Sequence, residues 1–140
     1  MMATAHNENG VDIMFHYTVE TDKAISEATA AVAENLKEEG FGVLWQFNVN
    51  EKLAEKDLKL DNTFEILEVC NPFEAQKVLS LNKEVSYFLP CKIVIYDDAG
   101  RTKIGMPRPT KLMEILGDES VLEIAKNIEE RMIASLDKSV

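Results

Sequence analysis

Two short apolar segments that flank a turn late in the chain place the strongest constraint on the fold. Residues 91–96 and 101–106 are rich in apolar and β-branched side chains, and Asp97-Asp98-Ala99-Gly100 between them is typical of a hairpin turn. Strands joined by so short a connection pair antiparallel, because a parallel crossover needs a dozen or more residues. The hairpin therefore argues against a doubly wound parallel sheet.

The segments before this hairpin also carry strand patterns. Strict alternation of apolar and polar residues over 11–19, and again over 41–49, predicts two half-buried strands. Residues 64–70 are apolar on both parities, which predicts a third strand that is covered on both faces or carries a bulge. We interpret Trp45 and Phe47, which share a parity in the second strand, as core residues.

Apolar residues that recur every three or four positions predict the helices. Asn71 followed by Pro72 favours a helix start, since asparagine suits the N-cap and proline the first helical position. This helix is expected to bury Phe73, Val78 and Leu79. The other expected caps are Thr21 or Asp22 for the first helix, Asn50 for a short piece over 51–58 and Ser120 for the last helix, which follows a short helix over 110–116.

The predicted order of elements is β-α-β-(α)-β-α-β-β-α-α. This order predicts an α+β two-layer sandwich, in which helices cover one face of a mainly antiparallel sheet. Residues 1–10 are polar and are expected to form a flexible tail, and residues 11–140 a single domain.

The charge of the chain disfavours a nucleic-acid partner. Its 15 basic and 25 acidic residues give a formal net charge of −10, whereas binding to a phosphate backbone is driven by lysine and arginine. The first ten residues lack the basic and apolar regions of a signal peptide, and no apolar run is long enough to span a membrane. Two cysteines are too few for a disulfide framework, so we expect reduced thiols in a cytoplasmic protein.

Cys70-Asn71-Pro72 is the most specific local feature. A thiol placed just before a helix N-terminus can have a lowered pKa and act as a nucleophile. The alternative is that Cys70 is a small buried side chain at the end of a strand. Cys91 shares its parity with Ile93 and Ile95, which favours a core position, but it could also lie beside Cys70 as a redox or metal-binding pair.

Arg108, between two prolines, is a candidate to bind a carboxylate or phosphate, or else pairs with one of the many acids. The chain has no glycine-rich phosphate loop, no nucleophile elbow and no zinc-ligand spacing. Haem or metal binding through Cys70 with His16 or Met106 follows from no spacing rule but remains a further alternative. The sequence thus names no cofactor and leaves open whether the protein is an enzyme.

The same motifs carry a family resemblance that extends over residues 13–135. The chain resembles the bacterial and archaeal family called domain of unknown function 302. The resemblance lies in the segment 36–44, in 65–69 leading into Cys70-Asn71-Pro72 with Ala75, in Phe88-Leu89-Pro90-Cys91 and in Met106-Pro107-Arg108-Pro109. It implies a TATA-binding-protein-like α+β fold, commonly dimeric, and no assigned activity.

Two functional hypotheses follow. The first is a small binding or interaction domain, with a small anionic ligand or cofactor held near Cys70, Asn71, Pro72, Cys91 and Arg108. The second is a thiol-dependent redox or sulfur-handling protein that uses Cys70 with Cys91.

A homodimer is also expected. Besides the resemblance, the last helix carries Leu122, Ile124 and Ile133 beside its main apolar stripe, which makes its apolar face wider than one sheet requires. The alternative is that the short helix over 110–116 covers the additional apolar surface of the last helix.

Overall fold

The computed structural model describes residues 14–140, so the predictions for the tail at 1–10 and for strand residues 11–13 lie outside the described part. The strands are β1 (His16–Thr21), β2 (Gly42–Asn48), β3 (Phe64–Cys70), β4 (Cys91–Asp98) and β5 (Arg101–Pro107). The helices are α1 (Ile25–Glu38), α2 (Val49–Ala54), α3 (Pro72–Leu81), α4 (Pro109–Glu114) and α5 (Glu119–Lys138), and a 3₁₀ segment spans Lys83–Phe88.

The strands form one sheet in the order β1-β5-β4-β3-β2, and every neighbouring pair is antiparallel. This confirms the predicted α+β class with an antiparallel sheet. The predicted hairpin joins β4 and β5: Asp98 pairs with Arg101, and φ is 51° at Ala99 and 79° at Gly100. Two central residues with positive φ are typical of the type I′ turn, which matches the twist of the strands it joins.

The two faces of the sheet have different surroundings. Leu67, Ile93 and Ile104 lie on the helix face, where they pack with α1 and α5 in the main core. The alternate positions form what we call the open face. Its residues are His16, Thr18 and Glu20 in β1, Arg101, Lys103, Gly105 and Pro107 in β5, Lys92, Val94, Tyr96 and Asp98 in β4, Phe64, Ile66, Glu68 and Cys70 in β3, and Trp45 and Phe47 in β2.

The long helix α5 joins two apolar clusters. Its predicted stripe is confirmed, since these five side chains are buried: Val121, Ala125, Ile128, Met132 and Leu136. The C-terminal part packs in the main core, and the N-terminal part packs with Val78, Val85 and Met113 in a second cluster beneath α3, α4 and the 3₁₀ segment.

Three of the expected caps are wrong. Helix α1 begins after Ala24, whose amide donates to the Glu27 carboxylate, and not after Thr21 or Asp22. Helix α2 begins after Asn48. The side chain of Asn50, the expected cap, instead binds backbone groups of Leu60, Asn62 and Phe64. Helix α5 begins after Asp118, whose carboxylate accepts from the Ser120 amide.

Two core assignments are also wrong. A bulge between Val43 and Trp45 shifts the register of β2 by one residue, which moves Trp45 and Phe47 to the open face. Trp45 is consequently 51% exposed. In α3 only Val78 of the three expected apolar residues is buried, and Phe73 is 78% exposed. The helix turns Val78 and Glu74 inward, so its apolar surface is narrower than the sequence suggests.

Candidate functional site

A cavity of about 340 Å³ opens at the end of the sheet where β4 begins and β5 ends. We call it the sheet-end pocket. Its apolar wall comes from the end of the 3₁₀ segment, from the cis Leu89-Pro90 peptide and from α4. It is lined by Glu68, Tyr87, Phe88, Leu89, Pro90, Cys91, Lys92, Pro107, Pro109, Leu112 and Met113.

The local sequence explains why chain segments diverge here. Pro107 ends β5 and Pro109 begins α4, so the chain turns away from the sheet between them. Across the opening, Leu89 and Pro90 lead from the 3₁₀ segment into β4. The divergence of these two connections leaves the space that α4 and Phe88 line.

Two charged side chains stand at the edge of the pocket. Glu68 in β3 lies directly opposite Lys92 in β4, both at open-face positions. They give the mainly apolar pocket a hydrogen-bond acceptor and a donor of opposite charge. A pocket of this kind, mainly apolar with a few polar groups, is typical of sites for small molecules.

Of the five candidate residues, Cys91 alone lines this pocket. Cys91 pairs with Val69, the residue before Cys70, so the two cysteines occupy adjacent positions on neighbouring strands. Both are free thiols. Cys91 packs against the main core on the helix face, and the alternation of β3 places Cys70 at an open-face position.

Burial makes both thiols less acidic. It raises the pKa of Cys70 above the ordinary value for a thiol. It also raises the pKa of Cys91, to about 11, with a smaller contribution from the negative charge of a Cys70 thiolate. Both shifts are in the opposite direction to that of the activated thiolate in the second hypothesis.

Asn71 and Pro72 form the start of α3, as predicted. The Asn71 side-chain oxygen accepts from the amides of Phe73 at 3.1 Å and Glu74 at 3.3 Å. Its Nδ2 donates to the Glu39 carbonyl, and a Cβ at Gly40, where φ is +86°, would lie only 2.9 Å from that nitrogen. Asn71 is buried and fully engaged within the fold.

Arg131 of α5 holds this helix start from the other side. Its guanidinium donates to the Glu74 carboxylate at 2.7 Å and to the Glu39 carbonyl at 2.6 Å. It also lies over the Phe41 ring, 5.2 Å from the centroid. These contacts, with Lys77 at 3.2 Å, occupy the Glu74 carboxylate.

Arg108 pairs with Glu129 of α5 rather than projecting into solvent. Its Nη2 lies 2.9 Å from the Glu129 carboxylate, and the side chain is 13% exposed. The other oxygen of Glu129 accepts from the amide and the hydroxyl of Thr110. One buried carboxylate thus anchors the connection between β5 and α4 and takes up the charge of Arg108.

The residues of the haem or metal alternative are not brought together. His16 is in β1 and Cys70 in β3, with β5 and β4 between them. The His16 Nδ1 lies 2.9 Å from the Thr18 hydroxyl. Within residues 14–140, no group of three or more His, Cys, Asp and Glu residues is arranged to hold a metal ion.

The residues that sequence reasoning missed are Glu68, Lys92 and Glu129. Their roles arise from cross-strand register or from contacts far apart in the chain, which local sequence does not show. In the described part of the chain, no helix is both long enough and apolar enough to cross a membrane.

The chain matches the family model described as "Domain of unknown function DUF302" over residues 17–139. A solved structure, that of the uncharacterized conserved protein DUF302 from Bacillus stearothermophilus, is 53% identical, with a TM-score of 0.88. That match covers 91% of this chain and 99% of the other. No curated protein matches the chain. The chain thus belongs to the DUF302 family, a domain of unknown function.

Proposed function

We propose that this chain is a small ligand-binding domain whose sheet-end pocket takes a compact molecule with an apolar body and an anionic group. The observation that carries the proposal is an apolar cavity of about 340 Å³ with Lys92 at its edge. This volume lies within the range of about 300–1,000 Å³ typical of small-molecule sites. Phe88, Leu112 and Met113 would contact the apolar body, and the Lys92 ammonium would pair with the anion.

This site differs from the one expected around Asn71 and Arg108. Both of those side chains already have partners within the fold, whereas Lys92 is exposed. Pro107 and Pro109, on either side of Arg108, still line the pocket. Arg108 and Glu129 therefore support the wall without contacting the ligand.

Binding of anilinonaphthalene sulfonate, an apolar molecule with one negative charge, tests the proposal. Leu112→Trp fills the pocket and is expected to abolish the fluorescence increase that the pocket produces. Ile115→Trp adds the same ring to an exposed position just after α4, and serves as the matched control. Unchanged binding to the Leu112→Trp variant would overturn the proposal.

The charge at the pocket edge gives a second test. Lys92→Gln is expected to weaken binding of the sulfonate by a factor of about 1.4 to 5, as exposed ion pairs contribute about 0.2–1 kcal/mol. Glu68→Gln is expected to strengthen binding, because it removes the carboxylate that competes for Lys92. Equal effects of the two substitutions would show that the anion binds elsewhere.

Thiol chemistry is the second candidate, favoured by the adjacent positions of Cys70 and Cys91. Two free thiols on neighbouring strands fit the reducing cytoplasm expected from the sequence. The raised pKa values of both thiols weigh against a nucleophilic role. The ligand-binding proposal therefore has the stronger support.

We also propose that the chain forms a homodimer and does not bind nucleic acid. Leu122 and Ile124 of α5, which favoured a contact through that helix, pack in part against the second cluster. Since Met113 of α4 belongs to this cluster, α4 covers part of the additional apolar surface of α5. Helix α5 alone is thus a weaker candidate for the contact between copies. The net charge of −10 continues to support the absence of nucleic-acid binding.

A further inference from the structure

We infer that the open face of the sheet is the surface on which a second copy of this chain packs, sheet against sheet. The inference rests on the homodimer proposed above and assigns its interface. An antiparallel sheet with one solvated face normally carries polar residues there. Here the open face carries Phe64 and Ile66 in β3, Val94 and Tyr96 in β4, and Trp45 and Phe47 in β2.

The surroundings of these residues show that part of the face lacks a covering layer. A groove of about 490 Å³ runs over β1, β5, β4 and β3, and the described residues that line it lie in strands or just before β1. Gly105 forms its floor, and Phe64 stacks on Tyr96 at one wall. Phe15, at the other wall, is 66% exposed. Exposed apolar patches of this kind mark interaction sites.

The charges on this face identify a second copy as its occupant. The chain carries −10 overall, yet the open face has three basic residues, Lys92, Arg101 and Lys103, and three acidic ones, Glu20, Glu68 and Asp98. Lys103 lies 2.8 Å from Asp98, and Arg101 lies 3.5 Å from Glu20. Two acidic chains can therefore approach through this face without the repulsion that their other surfaces would produce.

The size of the face is that of a small interface between two copies. Five strands of six to eight residues cover about 24 Å by 20–26 Å, from a strand spacing of ~4.8 Å and a rise of ~3.3 Å per residue. This footprint of about 480–620 Å² reaches only the lower limit of specific interfaces, which bury roughly 600–1,000 Å² per partner. A two-fold axis near the central strand β4 would place the whole face in contact.

This packing would bring the second copy to the sheet-end pocket. Glu68 and Lys92 at the pocket edge are open-face residues, and Pro107 lines both the pocket and the groove. The second copy would consequently cover the charged edge of the pocket.

Light scattering on the full chain, over a range of concentrations, tests the interface. The native protein is expected to have about twice the 15.8 kDa mass of one chain. Val94→Glu, at the centre of the face, and Phe15→Glu, at its exposed rim, are each expected to give the single-chain mass. Phe73→Glu places the same charge on an exposed aromatic position in α3, and is expected to leave the dimer unchanged. Circular dichroism establishes that each variant is folded.

The outcomes separate the interface from the dimer itself. A native mass near 15.8 kDa at tens of micromolar overturns both. A dimer that persists in folded Val94→Glu and Phe15→Glu, but is lost in Ile124→Glu with Ile133→Glu, overturns the open face and assigns the contact to α5. If Val94→Glu does not fold, Phe15→Glu decides, because its side chain is already exposed.

The single tryptophan gives an independent readout. Trp45 lies on the open face and is half exposed in one chain. Its emission is expected to shift to shorter wavelength as concentration rises through the association range, and Phe15→Glu is expected to remove this shift. An emission maximum that stays constant while the mass doubles would contradict burial of this face.

Discussion

Two helix starts, those of α3 and α4, are both anchored by the long helix α5 but by different means. The amides at the start of α3 are bound by Asn71, its own N-cap residue, and Arg131 adds contacts from α5. Helix α4 has no side-chain cap of its own. Its Thr110 amide is bound by Glu129, which lies 19 residues later.

The difference shows when a helix start can be predicted from the residues around it. An N-cap within the helix's own sequence can be recognised from a few residues, because the bond it makes is local. A helix start that is capped from a distant helix cannot be recognised in this way. A charged residue beside such a start then resembles a free ligand-binding group. Arg108 is the example: it resembled an anion site because its partner Glu129 is far away in the sequence.

The largest expected effect follows from removing the remote anchor. Glu129→Ala takes away the buried carboxylate that binds Arg108 and Thr110, and we expect it to lower the free energy of unfolding by about 3–5 kcal/mol. Chemical denaturation measures this loss. Glu130→Ala, at the exposed neighbouring position, is the control and should be nearly neutral.

A double variant separates the buried charge from the cap. Arg108→Met in the Glu129→Ala background is expected to recover part of the lost stability, since it removes the charge that the carboxylate had balanced. If Glu129→Ala costs no more than loss of the Asn71 cap, the contrast between the two helix starts does not hold.

The anchor of α3 is expected to matter less. Arg131→Met removes the bonds to Glu74 and to the Glu39 carbonyl, at a cost of about 1.5–3 kcal/mol for hydrogen bonds of a charged group. Lys77, 3.2 Å from Glu74, remains to balance that carboxylate. Thermal and chemical denaturation against Lys126→Met, an exposed lysine of the same helix, test this. A loss as large as that of Glu129→Ala would show that Lys77 does not compensate.

The local cap gives the smallest of these stability effects. Asn71→Ala is expected to cost about 0.5–2 kcal/mol, because two amides of α3 lose their acceptor. Asn71→Ser restores an accepting oxygen and is expected to recover much of the loss. An unchanged denaturation midpoint for Asn71→Ala would mean that Arg131 alone holds the helix start.

Much of the fold follows from such local patterns. The late hairpin, the strand at 64–70, the start of α3 and the buried stripe of α5 are all visible as alternation, turn residues or helical spacing. The face of the sheet on which Trp45 lies is not visible in the sequence. One inserted residue in β2 moves Trp45 to the opposite face without changing the local composition. Edge strands tolerate such bulges, and no residue in the segment marks one.

The candidate site is less predictable than the fold. Cys91 and the prolines around Arg108 stand in segments that the sequence analysis singled out, and they line the pocket. Glu68 and Lys92 become neighbours only through the register of β3 and β4. Leu112 and Met113 reach the same cavity because α4 folds back toward the sheet end. The pocket is assembled from three segments of the chain, at residue 68, residues 87–92 and residues 107–113, and the sequence of no single segment shows that the three meet.

The thiol before α3 gives a final test of the contrast between the two helix starts. Asn71 already binds the first free amides of α3, and burial raises the pKa of Cys70. A raised pKa means that less thiolate is present at neutral pH, so alkylation should be slow there. In a Cys91→Ala variant, the rate of reaction of Cys70 with iodoacetamide is expected to keep rising beyond pH 9. N-acetylcysteine, measured in parallel, supplies the rate of an unburied thiol. A rate that levels off below pH 8 would instead identify an activated Cys70, showing that the start of α3 can stabilise a thiolate and favouring thiol chemistry over ligand binding alone.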